Sequence, residues 1–165
     1  MPNYATRYRF RNRWQVVAPP HEVYAALARP TDYPSWWRQV REARAIDDLH
    51  CWMVVRSFLP YAIAYVLTAE IADPAAGLLQ ARVDGDIVGR IRWQIDPGGM
   101  GSIVQFEEKV RTQIDLLTVL TPFGRLAFEA NHRLMMRDGL LGLNAYLSGR
   151  SLNFGPGARP WRQRV

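Results

Sequence analysis

Cysteine and long apolar runs are nearly missing from this chain. Cys51 is the one cysteine among 165 residues, and a single cysteine excludes an internal disulfide framework. No apolar stretch approaches the roughly 20 residues that a transmembrane helix needs. The first residues are charged from Arg7 onward and lack the apolar core of a signal peptide. We therefore expect a cytoplasmic protein.

Lysine is equally scarce, although the chain is basic. Of the 21 basic residues only Lys109 is a lysine, and the formal net charge is +6. Four arginines alternate along one segment, at Arg7, Arg9, Arg11 and Arg13. Such alternation is typical of the solvated face of an amphipathic strand, and no helix-turn-helix, zinc-finger or RNA-binding motif accompanies it. We expect no nucleic-acid partner.

The chain also lacks the usual patterns of metal and cofactor sites. Its histidines, His21, His50 and His132, do not have the spacing of a metal-ligand set. The glycine-rich stretch 98–101 separates two predicted strands and precedes no helix, so it predicts a hairpin rather than a nucleotide loop. We expect no metal and no cofactor.

The N-terminal region alternates with a period of two. Over residues 6–17 the apolar side chains share one face with the polar Asn12, and the arginines occupy the other, which predicts a half-buried strand. The inward apolar residues are Tyr8, Phe10, Trp14 and Val16. Pro20 then opens a short helix that Pro30 closes. The corner at 33–37, Tyr-Pro-Ser-Trp-Trp, predicts a helical turn that packs a tryptophan over the domain edge.

Short turn signals divide residues 40–111 into six further strands. From Tyr61 to Ile71 the odd-numbered residues form one large apolar face, which predicts that they point inward. In the last strand Val104, Phe106 and Val110 point inward by the same argument. Their parity places Glu108 on the inward side.

The last element predicted is a long helix. Thr121 and Pro122 supply an N-cap and a first-turn proline, and the pattern continues to about Leu147. A helical wheel puts most of the apolar side chains on one broad face, with Asn131 and Asp138 in its middle. That face holds Phe123, Ala127, Ala130, Leu134, Met135, Leu141, Gly142 and Ala145.

The same wheel shows a second, narrower apolar stripe, and it puts His132 away from the broad apolar face. The stripe consists of Met136, Leu140, Leu143 and Leu147. A helix that is apolar on two sides must be covered on both. Either the tail residues Leu152, Phe154 and Trp161 fold back over the stripe, or a second subunit covers it in a homodimer.

The order of these elements resembles the START-like, Bet v 1-like superfamily, also called SRPBCC, and in particular its bacterial polyketide cyclase/dehydrase and lipid transport group. The resemblance is carried by residues 16–24 (VVAPPHEVY), 33–40 (YPSWWRQV), 101–107 (GSIVQFE) and the helix around 131–147. It implies an α+β helix-grip fold, in which a seven-stranded curved antiparallel sheet wraps around the long C-terminal helix and two short helices follow strand 1. Residues 1–149 would form this domain, and residues 150–165 a tail that is flexible or folded back.

The resemblance also implies a cavity between sheet and helix that holds a hydrophobic or aromatic small molecule, such as a lipid or a polyketide. It does not imply catalysis, since fold and reaction are separable. The inward faces suggest which residues would contact the ligand. These are Tyr8, Phe10, Arg56, Tyr61, Tyr65, Trp93, Phe106, Asn131, Leu134 and Met135.

The inward carboxylates are the candidate catalytic residues. An acid in apolar surroundings has its charged form disfavoured and its pKa raised, which suits a general acid or base. Glu108 or Asp138 would then move a proton in a cyclase or dehydratase reaction, while Tyr65 or Asn131 polarises a carbonyl. The alternative is a structural ion pair with Arg56. A third hypothesis is a non-catalytic interaction or assembly module, suggested by the second apolar stripe of the helix.

Overall fold

Seven strands form one antiparallel sheet in the part of the chain that the structure describes. The computed structural model describes residues 7–112 and 124–150. The strand order is β1-β7-β6-β5-β4-β3-β2, so the first strand pairs with the last. Strands β1 to β7 span Arg7–Val16, Val40–Ala45, His50–Val55, Ile63–Asp73, Leu78–Gly85, Ile87–Gly98 and Gly101–Thr112. The seven-stranded curved sheet and long helix of the helix-grip prediction are confirmed.

Two short helices carry the chain from β1 at one edge to β2 at the other. Helix α1 spans Pro20–Leu27, a 3-10 turn spans Pro30–Asp32, and α2 spans Tyr33–Trp36. The long helix α3 spans Gly124–Arg150. The helix start predicted at Thr121 and Pro122 lies outside the described residues. So does the predicted tail beyond residue 150.

The alternation read from the sequence holds along β1. Tyr8, Trp14 and Val16 are buried and the four arginines are exposed. In β4 the alternation holds only as far as Ala69, where the pairing with β5 shifts by one residue. Because a β-bulge of this kind reverses the side-chain parity, Ala72 is buried and Ile71 pairs with the outward Gln80. The inward prediction for Ile71 is therefore wrong.

Helix α3 packs on the sheet with a different face from the one predicted. Its buried residues other than glycine are Phe128, Asn131, His132, Met136, Leu143 and Leu147. By contrast Ala130, Leu141 and Ala145, expected to face inward, are exposed. The stripe predicted to need a tail or a homodimer partner is thus mostly core, since Met136, Leu143 and Leu147 are each at most 4% exposed within one chain. Because this stripe is buried within one chain, it no longer supports the hypothesis of an assembly module.

The tryptophan corner, residues 33–37, packs directly against α3, and two glycines of α3 allow this close contact. A Cβ at Gly142 would lie 1.7 Å from the Trp36 carbonyl oxygen, and one at Gly139 would lie 2.6 Å from the Trp37 ring. The Trp37 indole Nε1–H donates to the Met135 carbonyl oxygen at 2.8 Å. At the other end of the corner, the Tyr33 hydroxyl donates to the Leu27 carbonyl at 2.7 Å. The corner therefore joins α1 and α2 to the long helix.

A second contact attaches α3 to the end of β1. The Asn144 side-chain oxygen accepts a hydrogen bond from the Val17 backbone N–H at 2.9 Å. The buried apolar side chains of both sheet and helices form one cluster. In residues 7–112 and 124–150, no helix is long and apolar enough to cross a membrane.

Candidate functional site

A cavity of about 90 Å³ lies between the inner face of the sheet and helix α3. Its wall is largely aromatic and aliphatic, and three polar side chains from β7 and α3 interrupt it. The described residues that line it are Tyr33, Trp37, Val40, Met53, Val55, Ile63, Tyr65, Ile87, Ile91, Trp93, Phe106, Glu108, Phe128, Asn131, His132, Met135 and Met136.

Glu108 is the acid of this cavity. The residue sits in the middle of β7, opposite Phe10 on β1 and Ile91 on β6, so apolar strands flank it on both sides. Its side chain is 13% exposed. The prediction that strand parity turns Glu108 inward is confirmed.

His132 is the partner of Glu108. Its Nε2 lies 3.0 Å from the Glu108 Oε2, and its side chain is 11% exposed. This distance is that of a hydrogen bond between imidazole and carboxylate. The sequence-based alternative of an Arg56 partner is wrong, because Arg56 is exposed and does not line the cavity.

Aromatic stacking holds the imidazole in place. The His132 ring lies 3.8 Å from the Phe10 ring, centroid to centroid, with an interplanar angle of 9°. Phe106 stacks at 6.0 Å. Because Phe10 belongs to β1 and Phe106 to β7, the sheet sets the ring plane while α3 supplies the side chain. The second imidazole nitrogen, Nδ1, has no hydrogen bond within the described part of the chain.

Asn131 adds an unused acceptor beside this pair. Its side-chain oxygen is buried and has no hydrogen-bond partner among the described residues. Its amide nitrogen has only the Met135 sulfur at 3.8 Å, which is a weak acceptor. A buried polar atom without a partner costs free energy. A ligand that donates a hydrogen bond would remove that cost.

Tyr65 supplies a proton donor on the opposite wall. Burial raises the pKa of its phenol well above the usual range, and the nearby Glu108 charge raises it further. The phenol therefore stays protonated at physiological pH and can donate a hydrogen bond to a carbonyl oxygen. Tyr33 also lines the cavity, but its hydroxyl is already committed to the Leu27 carbonyl.

The volume of the cavity limits what it holds in this conformation. Sites for drug-sized ligands enclose roughly 300–1,000 Å³, and about 150 Å³ is enough for benzene. With about 90 Å³, this cavity must expand to take a lipid or a polyketide. Met135 and Met136 line the helix side, and methionine is flexible enough to move aside.

Six of the residues proposed from the sequence line the cavity. They are Tyr65, Trp93, Phe106, Glu108, Asn131 and Met135. Tyr8 and Phe10 instead pack behind its wall, since Tyr8 lies 4.5 Å from the Phe128 ring and Phe10 stacks on His132. Tyr61 and Leu134 are half-buried and are not among the lining residues.

Asp138, the second carboxylate proposed as catalytic, has another role in the structure. Its Oδ2 accepts a hydrogen bond of 2.6 Å from the Gln39 side-chain amide. It does not line the cavity. The contact connects α3 to the segment between α2 and β2, so it supports packing rather than the site.

Sequence reasoning missed His132 and Phe128 as parts of the site. The signal was a spacing of four along α3, because Phe128, His132 and Met136 repeat at one turn and share a face. The same register continues to Leu143 and Leu147, which are buried. On β3 the alternation of Met53 and Val55 would also have indicated lining residues.

The described residues contain no cluster of side chains that could bind a metal ion. In the part of the chain that the structure describes, no group of three or more His, Cys, Asp or Glu side chains converges. His50 bonds Asp47 at 2.7 Å on the surface, far along the sheet from β7. The Glu108–His132 pair has no third acidic, histidine or cysteine side chain grouped with it among the described residues.

Solved structures with the same fold include an aromatase/cyclase and a START superfamily protein. The Zhui aromatase/cyclase from Streptomyces sp. R1128 has a TM-score of 0.72 at 16% identity, over 88% of this chain and 96% of that one. A START superfamily protein from Mycobacterium smegmatis has a TM-score of 0.64 at 14% identity, over 87% and 97%. At these identities the likeness shows the fold alone. No curated protein sequence matches the chain.

The sequence itself matches one family. Residues 16–136, well over half of the chain, fit the family described as polyketide cyclase / dehydrase and lipid transport. The match runs from the end of β1, through the tryptophan corner and the sheet, to Met136 on α3, and so includes Glu108 and His132. The fold of the solved structures and the sequence match agree, and the chain belongs to the polyketide cyclase / dehydrase and lipid transport family.

Proposed function

We propose that this protein binds a hydrophobic or aromatic small molecule in the cavity between the sheet and α3. The observation that carries the proposal is the polarity of the wall. Aromatic and aliphatic side chains surround one polar corner formed by Glu108, Asn131 and His132. A mostly apolar wall with a few convergent polar groups is the usual design of a small-molecule site.

The polar corner indicates which functional groups the ligand carries. The unpartnered Asn131 oxygen calls for a hydroxyl donor, and the protonated Tyr65 phenol calls for a carbonyl acceptor. The aromatic side chains Trp93 and Phe106, whose rings lie 4.4 Å apart, favour a flat ligand. An aromatic or polyketide-like molecule with carbonyl and hydroxyl groups has these features.

Native mass spectrometry of freshly purified protein, followed by extraction, tests this binding. We expect a copurifying or added aromatic ketone to bind with one molecule per chain. Ile91→Trp should abolish binding because Ile91 lines the cavity. Val88→Trp is the matched control, since Val88 lies on the same strand and pairs with the outward Arg111. Equal binding to both variants would place the ligand elsewhere.

A second candidate function is proton transfer in a cyclase or dehydratase reaction. The observation that favours it is the 3.0 Å contact between Glu108 and His132 inside an apolar wall. A carboxylate and an imidazolium side by side offer a base and an acid to the same substrate. Tyr65, across the cavity, would hold the carbonyl oxygen.

The dehydration of a β-hydroxy ketone illustrates the step. The Glu108 carboxylate removes the proton from the carbon between the carbonyl and the hydroxyl-bearing carbon. The C–O bond breaks, and the leaving hydroxide takes the His132 proton and departs as water. The Glu108 carboxylic acid then returns its proton to the imidazole, which restores both groups and leaves a conjugated enone.

Turnover of a model substrate tests the second candidate. The aldol adduct of benzaldehyde and acetone is a β-hydroxy ketone whose loss of water creates a strong ultraviolet absorption. Glu108→Gln should abolish that reaction while the affinity for the product stays nearly unchanged. The control is Glu70→Gln, since Glu70 pairs with Arg90 on the outer surface. Unchanged turnover in Glu108→Gln would overturn the assignment of Glu108 as the base, and no turnover by the original protein would leave binding as the function that remains.

A further inference from the structure

The positive charge of this protein is concentrated on the outer face of three adjacent strands. The outward residues of β1, β7 and β6 include eight basic side chains and two acidic ones, Glu107 and Asp96. We call this surface the basic face, and its cations are Arg7, Arg9, Arg11, Arg13, Arg90, Arg92, Lys109 and Arg111. The whole chain has 21 basic and 15 acidic residues, so the remainder has thirteen of each sign. The basic face alone accounts for the net charge of +6.

The strand register sets like charges against one another on this face. Arg7 pairs with Arg111, and Lys109 lies between Arg9 and Arg90 in one row across three strands. Like charges directly opposite each other on a sheet are destabilising. The arrangement therefore costs stability, and an anionic counterpart would relieve that cost.

Intramolecular carboxylates neutralise only part of the basic face. Glu107 bonds Arg9 at 2.6 Å and Arg11 at 3.2 Å, and Glu70 bonds Arg90. Four other guanidinium groups, those of Arg7, Arg13, Arg92 and Arg111, have no ion pair or hydrogen bond within the described residues. A shallow depression of about 500 Å³ lies among Arg11, Arg13, Arg92 and the glutamine side chains beside them.

Exposed apolar side chains stand at one end of the basic face. Met100, at the tip of the β6–β7 hairpin, is 89% exposed, and Val17, just after β1, is 65% exposed. The Gln15 side-chain amide donates to the Gly98 and Ser102 carbonyls at 2.9 and 3.2 Å. These bonds hold the hairpin against the outer side of β1. Cations and apolar residues therefore belong to one continuous surface.

We propose that the basic face docks on an anionic lipid surface, with Met100 and Val17 in the interfacial layer. Guanidinium groups bind phosphate through paired hydrogen bonds, and each basic residue near an anionic bilayer adds to its affinity. Lipid headgroups diffuse and so can match a broad array of cations. A nucleic-acid duplex would match the cations but offers no apolar layer for Met100, so lipid is the counterpart that the whole surface fits.

Vesicle sedimentation of the full-length chain tests the proposal. The protein should bind phosphatidylcholine vesicles that contain phosphatidylglycerol, and bind vesicles of phosphatidylcholine alone much less. Because surface charges are screened by salt, binding should fall as ionic strength rises. The triple variant Arg13→Gln, Arg92→Gln, Arg111→Gln should lower the partition coefficient by roughly 10-fold or more.

A matched triple variant separates the effect of the basic face on vesicle binding from the effect of net charge alone. Arg38→Gln, Arg41→Gln, Arg56→Gln removes the same charge from exposed positions outside the face and should change binding little. Glu107→Gln should strengthen binding, since it releases the arginines that Glu107 neutralises. Met100→Ser should weaken it. Equal losses in the two triple variants, or binding to duplex DNA without binding to vesicles, would overturn the proposal.

Discussion

Glu108 and His132 occupy positions that apolar side chains could fill. Both are about nine-tenths buried, and their neighbours include Phe10, Phe106 and Ile91. A buried hydrogen-bonded pair of ionisable groups contributes little net stability, because desolvation offsets the attraction. Because the pair adds little to stability, we expect that its role is to contact a ligand.

A double-mutant comparison follows from that argument. Glu108→Leu or His132→Phe alone should lower the free energy of unfolding by about 2 kcal/mol, since each leaves a buried polar partner unpaired. The double variant should return to within about 1 kcal/mol of the original protein. Urea denaturation followed by circular dichroism measures all three. If the double variant were the least stable of the set, the pair would be structural and not kept for a ligand.

Glu107, the neighbour of Glu108 on β7, predicts a pH dependence of stability. Hydrogen bonds from Arg9, and then from Arg11 and Lys109, lower the pKa of its carboxyl to about 2. A lowered folded-state pKa stabilises the protein above the unfolded value, near 4.5, and that contribution is lost as the pH falls toward 2. The effect is small because the group is near the surface.

The comparison of Glu107→Gln with the original protein isolates this contribution. The original protein should be the more stable of the two above pH 5, and the difference should close as the pH approaches 2. Chemical denaturation at low salt across this pH range measures it. A difference that stays constant with pH would mean that the arginine contacts do not act on the Glu107 carboxyl.

Single residues show where sequence reasoning stops. The parity of β7 was sufficient to turn Glu108 inward, because alternation is local. The identity of its partner was not local, since His132 comes from α3 and Arg56 from the end of β3. The choice between them depended on the rotation of α3, which a helical wheel alone does not determine.

At the scale of elements, α3 is the least predictable from the sequence. Its wheel carries two apolar stripes, and the broad one contains three alanines and one glycine while the narrow one contains larger side chains. The sheet buries the stripe with the larger side chains, Met136, Leu143 and Leu147, because larger apolar areas contribute more on burial. Gly139 and Gly142 instead face the tryptophan corner. The size of the apolar side chains, rather than their number, therefore determines which face of α3 is turned toward the sheet.

The glycine contact gives a prediction about the corner. Gly142→Ala should lower the free energy of unfolding by about 3 kcal/mol, because its Cβ would overlap the Trp36 carbonyl oxygen. The control is Gly149→Ala on the same helix, where a Cβ meets nothing within 4 Å. Alanine there should stabilise by up to about 1 kcal/mol through helix propensity. Thermal denaturation compares the two, and equal stabilities would show that α2 does not press on α3.

At the scale of the whole molecule, the number of strands and the family could be predicted, but the size of the cavity could not. Turn signals and alternation give seven strands, and a long helix after a meander gives the helix-grip arrangement. The free volume of the cavity is the small difference between two large volumes, the volume that the sheet and α3 enclose and the volume that the side chains occupy. Rotamers of Met135 and Phe128 change that difference without changing any sequence pattern.

A cavity that must expand for its ligand gives the last prediction. Met135→Ala should raise the affinity for a small aromatic ketone such as acetophenone by roughly 10-fold, since it removes a flexible side chain from the wall. The same change should lower the free energy of unfolding by about 2 kcal/mol. Isothermal titration measures the affinity, and Leu141→Ala, at a position 58% exposed on the same helix, is the control. If Met135→Ala only destabilised the protein without binding more tightly, the ligand would enter by another movement than displacement of this side chain. The expansion would then have to come from the sheet or the tryptophan corner, and α3 would be a fixed wall.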